Sequence, residues 1–157
     1  MVVGQPKPRE RGRGAVLVVE DDPATREALV VLLRHEGYPA ESVNDGQQAL
    51  ARLRNKKPPS LVLLDLMLPV MDGFEFRVQQ LQDPALARIP VIVVSAGGDL
   101  VRKAETLHAD ACLAKPLDVE MLLSLIAARV GRSTLRRGPR FRTPDRTRGM
   151  RGPSVRH

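Results

Sequence analysis

The chain has 157 residues, 43% of them apolar but only 3% aromatic with no Trp, and a formal net charge of +7. That length suits one domain with spare ends, and its core must be built from Val, Leu, Ile and Ala. No apolar run approaches the roughly 18 residues of a membrane span, residues 1–14 lack the apolar stretch of a secretory signal, and the lone Cys112 excludes an intrachain disulfide, so a soluble cytoplasmic protein is expected.

The positive charge is unevenly placed. Residues 1–14 carry Lys7, Arg9, Arg11 and Arg13 against Glu10, a balance of +3. Residues 131–157 carry nine Arg against Asp145, a balance of +8, which leaves 15–130 at −4. A mildly acidic globule between two basic tails is expected. Both tails are rich in Gly and Pro and poor in apolar residues, so they read as disordered: too little buried surface to offset the entropy of ordering.

The middle alternates two periodicities. Ala15–Val19 is a buried-strand run ending in Glu20, Asp21 and Asp22. Pro23 suits a first helical turn, and Ala24, Ala28, Leu29, Leu32 and Leu33 give helical spacing over 23–36, stopped by Gly37. Pro39–Val43 is a second strand, Asn44-Asp45-Gly46 a turn, and 47–54 a short helix broken by Pro58-Pro59. Leu61–Leu64 is a third strand running into Asp65. A loop with Pro69, Asp72 and Gly73 precedes a helix over 74–82, and Pro84 and Pro90 bracket a connector. Val91–Val94 is a fourth strand ending at Ser95, 99–107 a helix, and Ala111–Ala114 a fifth strand ending at Lys115-Pro116. A last helix covers 117–130. Five strands alternating with five helices predict an α/β fold, a parallel sheet with helices on both faces.

In an open parallel sheet, chemistry gathers at the carboxyl edge of the strands. There this sequence places Glu20 and Asp21, then Asp65, Ser95 and Lys115. Three carboxylates close together stay ionised near neutral pH only if a cation compensates. An all-oxygen set without His or Cys favours a hard divalent ion, magnesium (Mg2+) above all, which keeps open positions for phosphate oxygens. Lys115 offers a point charge, Ser95 a hydroxyl donor and Asp65 a carboxylate able to accept a phosphoryl group. Each group alone has a plainer reading: acids at a helix start, a strand-end cap, a surface lysine.

The stretches VLVVEDDPATREAL at 16–29, LVLLDLMLPVMDGFEF at 61–76, IPVIVVSA at 89–96 and ADACLAKPLD at 109–118 occur in an order and at a spacing that resemble the receiver domain of bacterial response regulators. The resemblance covers residues 15–130. It implies a flavodoxin-like, doubly wound five-stranded sheet of order 2-1-3-4-5, with Asp65 as phosphoacceptor and Mg2+ held by Glu20, Asp21, Asp65 and the backbone carbonyl of Met67. It also implies Ser95 as the responding hydroxyl, Lys115 as the charge on the phosphoryl group, and a cis bond before Pro116. Two positions depart from the pattern. Cys112 stands where many receivers carry an aromatic switch residue, and His108 where Gly is usual.

The implied function is that of a single-domain response regulator. It takes a phosphoryl group from a sensor histidine kinase or phosphotransfer protein onto Asp65, and catalyses nothing beyond its own phosphorylation and dephosphorylation. It signals to a downstream protein through the surface around helix 99–107 and the fifth strand. The alternative is a phosphorylation-independent scaffold of the same fold. The Arg-rich 131–157 reads as a linker remnant, as a weak polyanion binder through counterion release, or as a dock for an acidic partner or membrane surface.

Overall fold

The computed structural model describes residues 14–55 and 57–130; what was expected of 1–13 and 131–157 lies outside them. In chain order the elements are β1 (Val16–Val19), α1 (Pro23–His35), β2 (Ala40–Val43), α2 (Gly46–Leu53), β3 (Leu61–Asp65) and α3 (Gly73–Gln82). They continue with α4 (Pro84–Ala87), β4 (Val91–Ser95), α5 (Leu100–Leu107), β5 (Ala111–Ala114) and α6 (Val119–Val130). The sheet is parallel throughout, in the order β2-β1-β3-β4-β5.

The fold class is the expected one, but six helices are described rather than five. The connector between Pro84 and Pro90 winds into α4, because Pro84 presets the first turn and the Asp83 carboxylate accepts from the Ala85 N–H at 3.0 Å. The other boundaries fall within a residue or two of those read from the sequence.

Strand residues divide by parity between two apolar faces. Leu17, Val19, Val62, Leu64, Val91 and Val93 pack with Leu50, Leu53, Phe76 and Leu107, beneath α2, α3 and α5. Val16, Val18, Leu61, Leu63, Ile92 and Val94 pack with Leu29, Leu33, Leu122 and Ile126, beneath α1 and α6. Both faces are covered, so the inner strands β1, β3 and β4 are apolar at consecutive positions instead of alternating. Each fully buried Val, Leu, Ile or Phe contributes about 1.5–3 kcal/mol.

Helix ends follow the sequence signals. At the end of α1, Gly37 takes φ +84°, its N–H donates to Arg34 O at 3.0 Å and that of Tyr38 to Leu33 O at 2.9 Å. Both bonds satisfy carbonyls that the helix leaves open, and Leu33 and Tyr38 share the core beneath. The strand order reverses between β1 and β3, and the crevice at their carboxyl ends is where such sheets bind ligands.

Candidate functional site

β1 delivers Glu20 to this crevice with 3% of its surface exposed, and β3 delivers Asp65 with 5%. Asp21, next in the chain, is exposed. Asp22 turns away to cap α1, accepting from the Thr25 N–H at 3.0 Å and hydroxyl at 2.5 Å, and these bonds hold its carboxyl below its ordinary value. The Arg26 guanidinium donates to the carbonyls of Glu20 at 3.1 Å and Asp21 at 3.3 Å, so the loop bearing both acids is tied to α1.

The two oxygens of Asp65 have different partners. Oδ1 accepts from the Met67 N–H at 2.9 Å, and Oδ2 from Lys115 Nζ at 2.8 Å. The same ammonium reaches Glu20 Oε2 at 3.1 Å. Lys115 comes from the end of β5, where its backbone N–H donates to Ser95 O at 3.0 Å and its bond to Pro116 is cis, as the resemblance implied. One long side chain therefore crosses β4 to join β1 and β3.

Glu20, Asp21 and Asp65 each offer an oxygen, all within 4.8 Å of one another. Burial pushes the Glu20 carboxyl up, and Asp65 beside it adds to the effect against the pull of Lys115. Burial works against the charge on Lys115, but its bonds to Asp65 and Glu20 outweigh this and hold the ammonium more firmly than usual. Three carboxylates thus face a single ammonium, and the remaining negative charge needs a further cation. An oxygen-only donor set suits a hard divalent ion that keeps part of its water shell, so these residues fit magnesium.

Ser95, 1% exposed, ends β4 one residue beyond Val94, the partner of Asp65 in the sheet. It reaches the same edge, but its hydroxyl is engaged elsewhere: it donates to Ala96 O at 3.3 Å and accepts from Lys103 Nζ at 3.0 Å. Cys112 lies on β5 opposite Val93, half-buried against the core under α5, and burial raises its thiol despite nearby Lys103.

Some contributors were not read from the sequence. Gly73 looked like a turn residue, yet a Cβ there would lie 2.6 Å from the Asp65 carbonyl oxygen and 2.7 Å from Leu66 Cα. The start of α3 is pressed against the backbone of the candidate acceptor, and only Gly permits it. Val70 has φ +65°, strained for a β-branched residue, in the loop that follows Asp65. Arg77 and Lys103 were not singled out in the sequence. Arg77 is 4% exposed, and Lys103 was legible only as a cation eight residues after Ser95.

The response regulator receiver domain family model matches residues 16–127. The chain is 38% identical over 124 residues to the DNA-binding response regulator MtrA of Mycolicibacterium smegmatis, covering 77% of this chain and 52% of that protein. To the DNA-binding dual master transcriptional regulator RpaA of Synechocystis it is 35% identical over 120 residues, covering 75% and 49%. The chain thus spans about half the length of the curated relatives it matches. Among solved structures it resembles the receiver domain of a signal transduction histidine kinase from Syntrophus aciditrophicus, with TM-score 0.69, 29% identity and coverage of 83% of this chain and 98% of that one. It also resembles the receiver domain of a sensor histidine kinase from Pseudomonas aeruginosa, which holds a magnesium ion in its active-site cleft; here the TM-score is 0.65, the identity 25% and the coverage 76% and 99%. No helix among the described residues is long and apolar enough to cross a membrane. With the acid cluster at the reversal of strand order and the family model matching across the whole sheet, the chain belongs to the response regulator receiver domain family.

Proposed function

We propose that this receiver is a phosphoacceptor whose acceptor atom is a carboxylate oxygen of Asp65. The observation that carries the reading is the pairing of Asp65 Oδ2 with Lys115 at 2.8 Å inside a cluster of three acids. The phosphoryl group comes from a phosphohistidine on a sensor kinase or phosphotransfer protein. An Asp65 oxygen attacks phosphorus in line, a P–O bond forms as the P–N bond breaks, and the departing imidazole takes up a proton. Lys115 holds Asp65 in place and remains beside the developing charge. The Met67 N–H orients Oδ1. Ser95 turns its hydroxyl toward a phosphoryl oxygen once one is present.

Glu20, Asp21, Asp65 and the Met67 carbonyl would hold Mg2+, which when bound supplies positive charge against the phosphoryl oxygens. Hydrolysis by water at the same centre resets the protein, so its chemistry is confined to gaining and losing its own phosphoryl group. The signal leaves as a change in affinity for a downstream protein.

Incubation with acetyl phosphate and magnesium tests the reading: intact mass should rise by one phosphoryl group in the wild type and not in Asp65→Asn. Mass gained equally by Asp65→Asn refutes it. Cys112 favours a second reading, a scaffold of the same fold that no longer depends on phosphorylation, because a small half-buried thiol cannot do the work of a swinging ring. Partner binding unchanged by Asp65→Asn, with wild type phosphorylated, would support that reading.

A further inference from the structure

Of the groups at the crevice, Ser95 is the one whose side-chain bonds lead away from the acids. Its Oγ accepts from Lys103 Nζ at 3.0 Å, so a half-buried ammonium on α5 is spent on a neutral hydroxyl. No carboxylate pairs with Lys103 among the described residues. The Lys103 ammonium gives up part of its hydration here and meets only a neutral hydroxyl, with no counter-charge beside it to offset the loss. The arrangement is under-satisfied as it stands and improves if negative charge arrives on the far side of Ser95.

α5 is held unequally at its two ends. At its C-terminus the buried Arg77, reaching from α3, donates Nε to Leu107 O at 2.9 Å and Nη2 to His108 O at 2.7 Å, while Nη1 donates to Gln80 Oε1 at 2.7 Å. His108 itself closes the helix at φ +49°. At its N-terminus, Asp99 sits at φ +63° and its side chain caps nothing, whereas Asp22, Asp45, Asp72 and Asp83 each cap the helix that follows them. Gly97 at φ +100° and Gly98 have open space around them. Lys103 lies between the fixed end and the free one. Cys112 lies on the sheet face beneath α5, packed against the same core.

From this geometry we infer that Lys103 is a positioning residue which carries the charge state of Asp65, through Ser95, into α5. The inference rests on Asp65 being the phosphoacceptor. When the phosphoryl group draws the Ser95 hydroxyl, Lys103 gains by following the negative charge. α5 then shifts at its uncapped start and pivots on the end that Arg77 holds. In this protein a charged side chain on the helix does the coupling.

Deuterium uptake of the full chain, with and without acetyl phosphate and magnesium, tests this at equal phosphorylated fraction set by intact mass. In the wild type, phosphorylation should change uptake over 97–103 and leave 104–109 unchanged. Lys103→Met and Lys103→Gln, the second keeping a donor without the charge, should take up the phosphoryl group and lose that change; Lys103→Arg should keep it. Either neutral variant retaining the wild-type change overturns the inference, as does a phosphorylated wild type whose uptake over 97–103 stays constant. Failure of the wild type to gain mass is a separate result, and defeats the acceptor reading along with this one.

Discussion

The two sides of the crevice are built to different specifications. On the β1–β3 side, the acid-bearing loop and the buried carboxylates of Glu20 and Asp65 are tied down. Arg26 holds the loop of Glu20 and Asp21, the Met67 N–H and Lys115 hold Asp65, and capped helices follow on from both strands. On the β4 side, Ser95 opens into Ala96, Gly97 and Gly98 and a helix uncapped at its start and anchored at its far end by Arg77. On the proposed reading, the phosphoryl chemistry falls where the chain is most tied by hydrogen bonds and the response where it is least tied, as expected if positioning governs phosphoryl transfer and low local stability governs switching.

Three measurements sharpen or break this contrast. The largest effect is expected at the anchor of α5. Arg77→Leu leaves the carbonyls of Leu107 and His108 and the amide oxygen of Gln80 without their donor, at a cost on the order of 3 kcal/mol in denaturant unfolding. A loss under about 0.5 kcal/mol would mean that this end of the helix is as free as the other. A smaller effect separates two aspartates. Asp72→Ala should cost about 1 kcal/mol by removing the cap on Glu75 N–H at 2.9 Å. Asp99→Asn, which removes no cap and keeps a residue that tolerates the left-handed φ of +63°, should cost only a few tenths. Equal costs would abolish the distinction between the two helix starts.

The smallest effect is electrostatic. The Glu20 carboxyl is raised above 4.5 chiefly by burial, so the folded chain binds its proton more tightly than the unfolded chain does. That contribution to stability is complete below 4.5 and disappears as pH rises through the folded value. In chelator, Glu20→Gln should therefore gain on the wild type as pH climbs from 4.5. A stability difference that is flat with pH would place Glu20 in an ordinary solvated setting.

How much was legible follows from the kind of signal each residue gives. Strand ends announce themselves, because apolar runs such as Leu61–Leu64 stop abruptly at a charge. Glu20, Asp65, Ser95 and Lys115 were therefore found, as was the sheet order through the resemblance. The Asp83-Pro84 turn was passed over because four residues are too few to display a helical period. Arg77 and Lys103 were invisible for a deeper reason. Charged residues in helices are by default solvated, and what buries Arg77 and half-buries Lys103 is the position of α5 over the sheet, a tertiary fact with no local trace. Gly73 was noticed for the wrong property: its conformational freedom suggested a turn, whereas the constraint is the absence of room for a methyl group.

Because both surfaces of the sheet are oily, a strand that slid by one residue would exchange one set of greasy contacts for another at little expense. Hydrophobicity alone therefore proofreads β3 poorly. Its terminal aspartate does so better: a slid strand would carry a buried carboxylate away from the lysine at the end of β5. The groups proposed to receive the phosphoryl group thus also arbitrate which alignment of the strands is native, so that the proposed function and foldability are checked by the same few atoms.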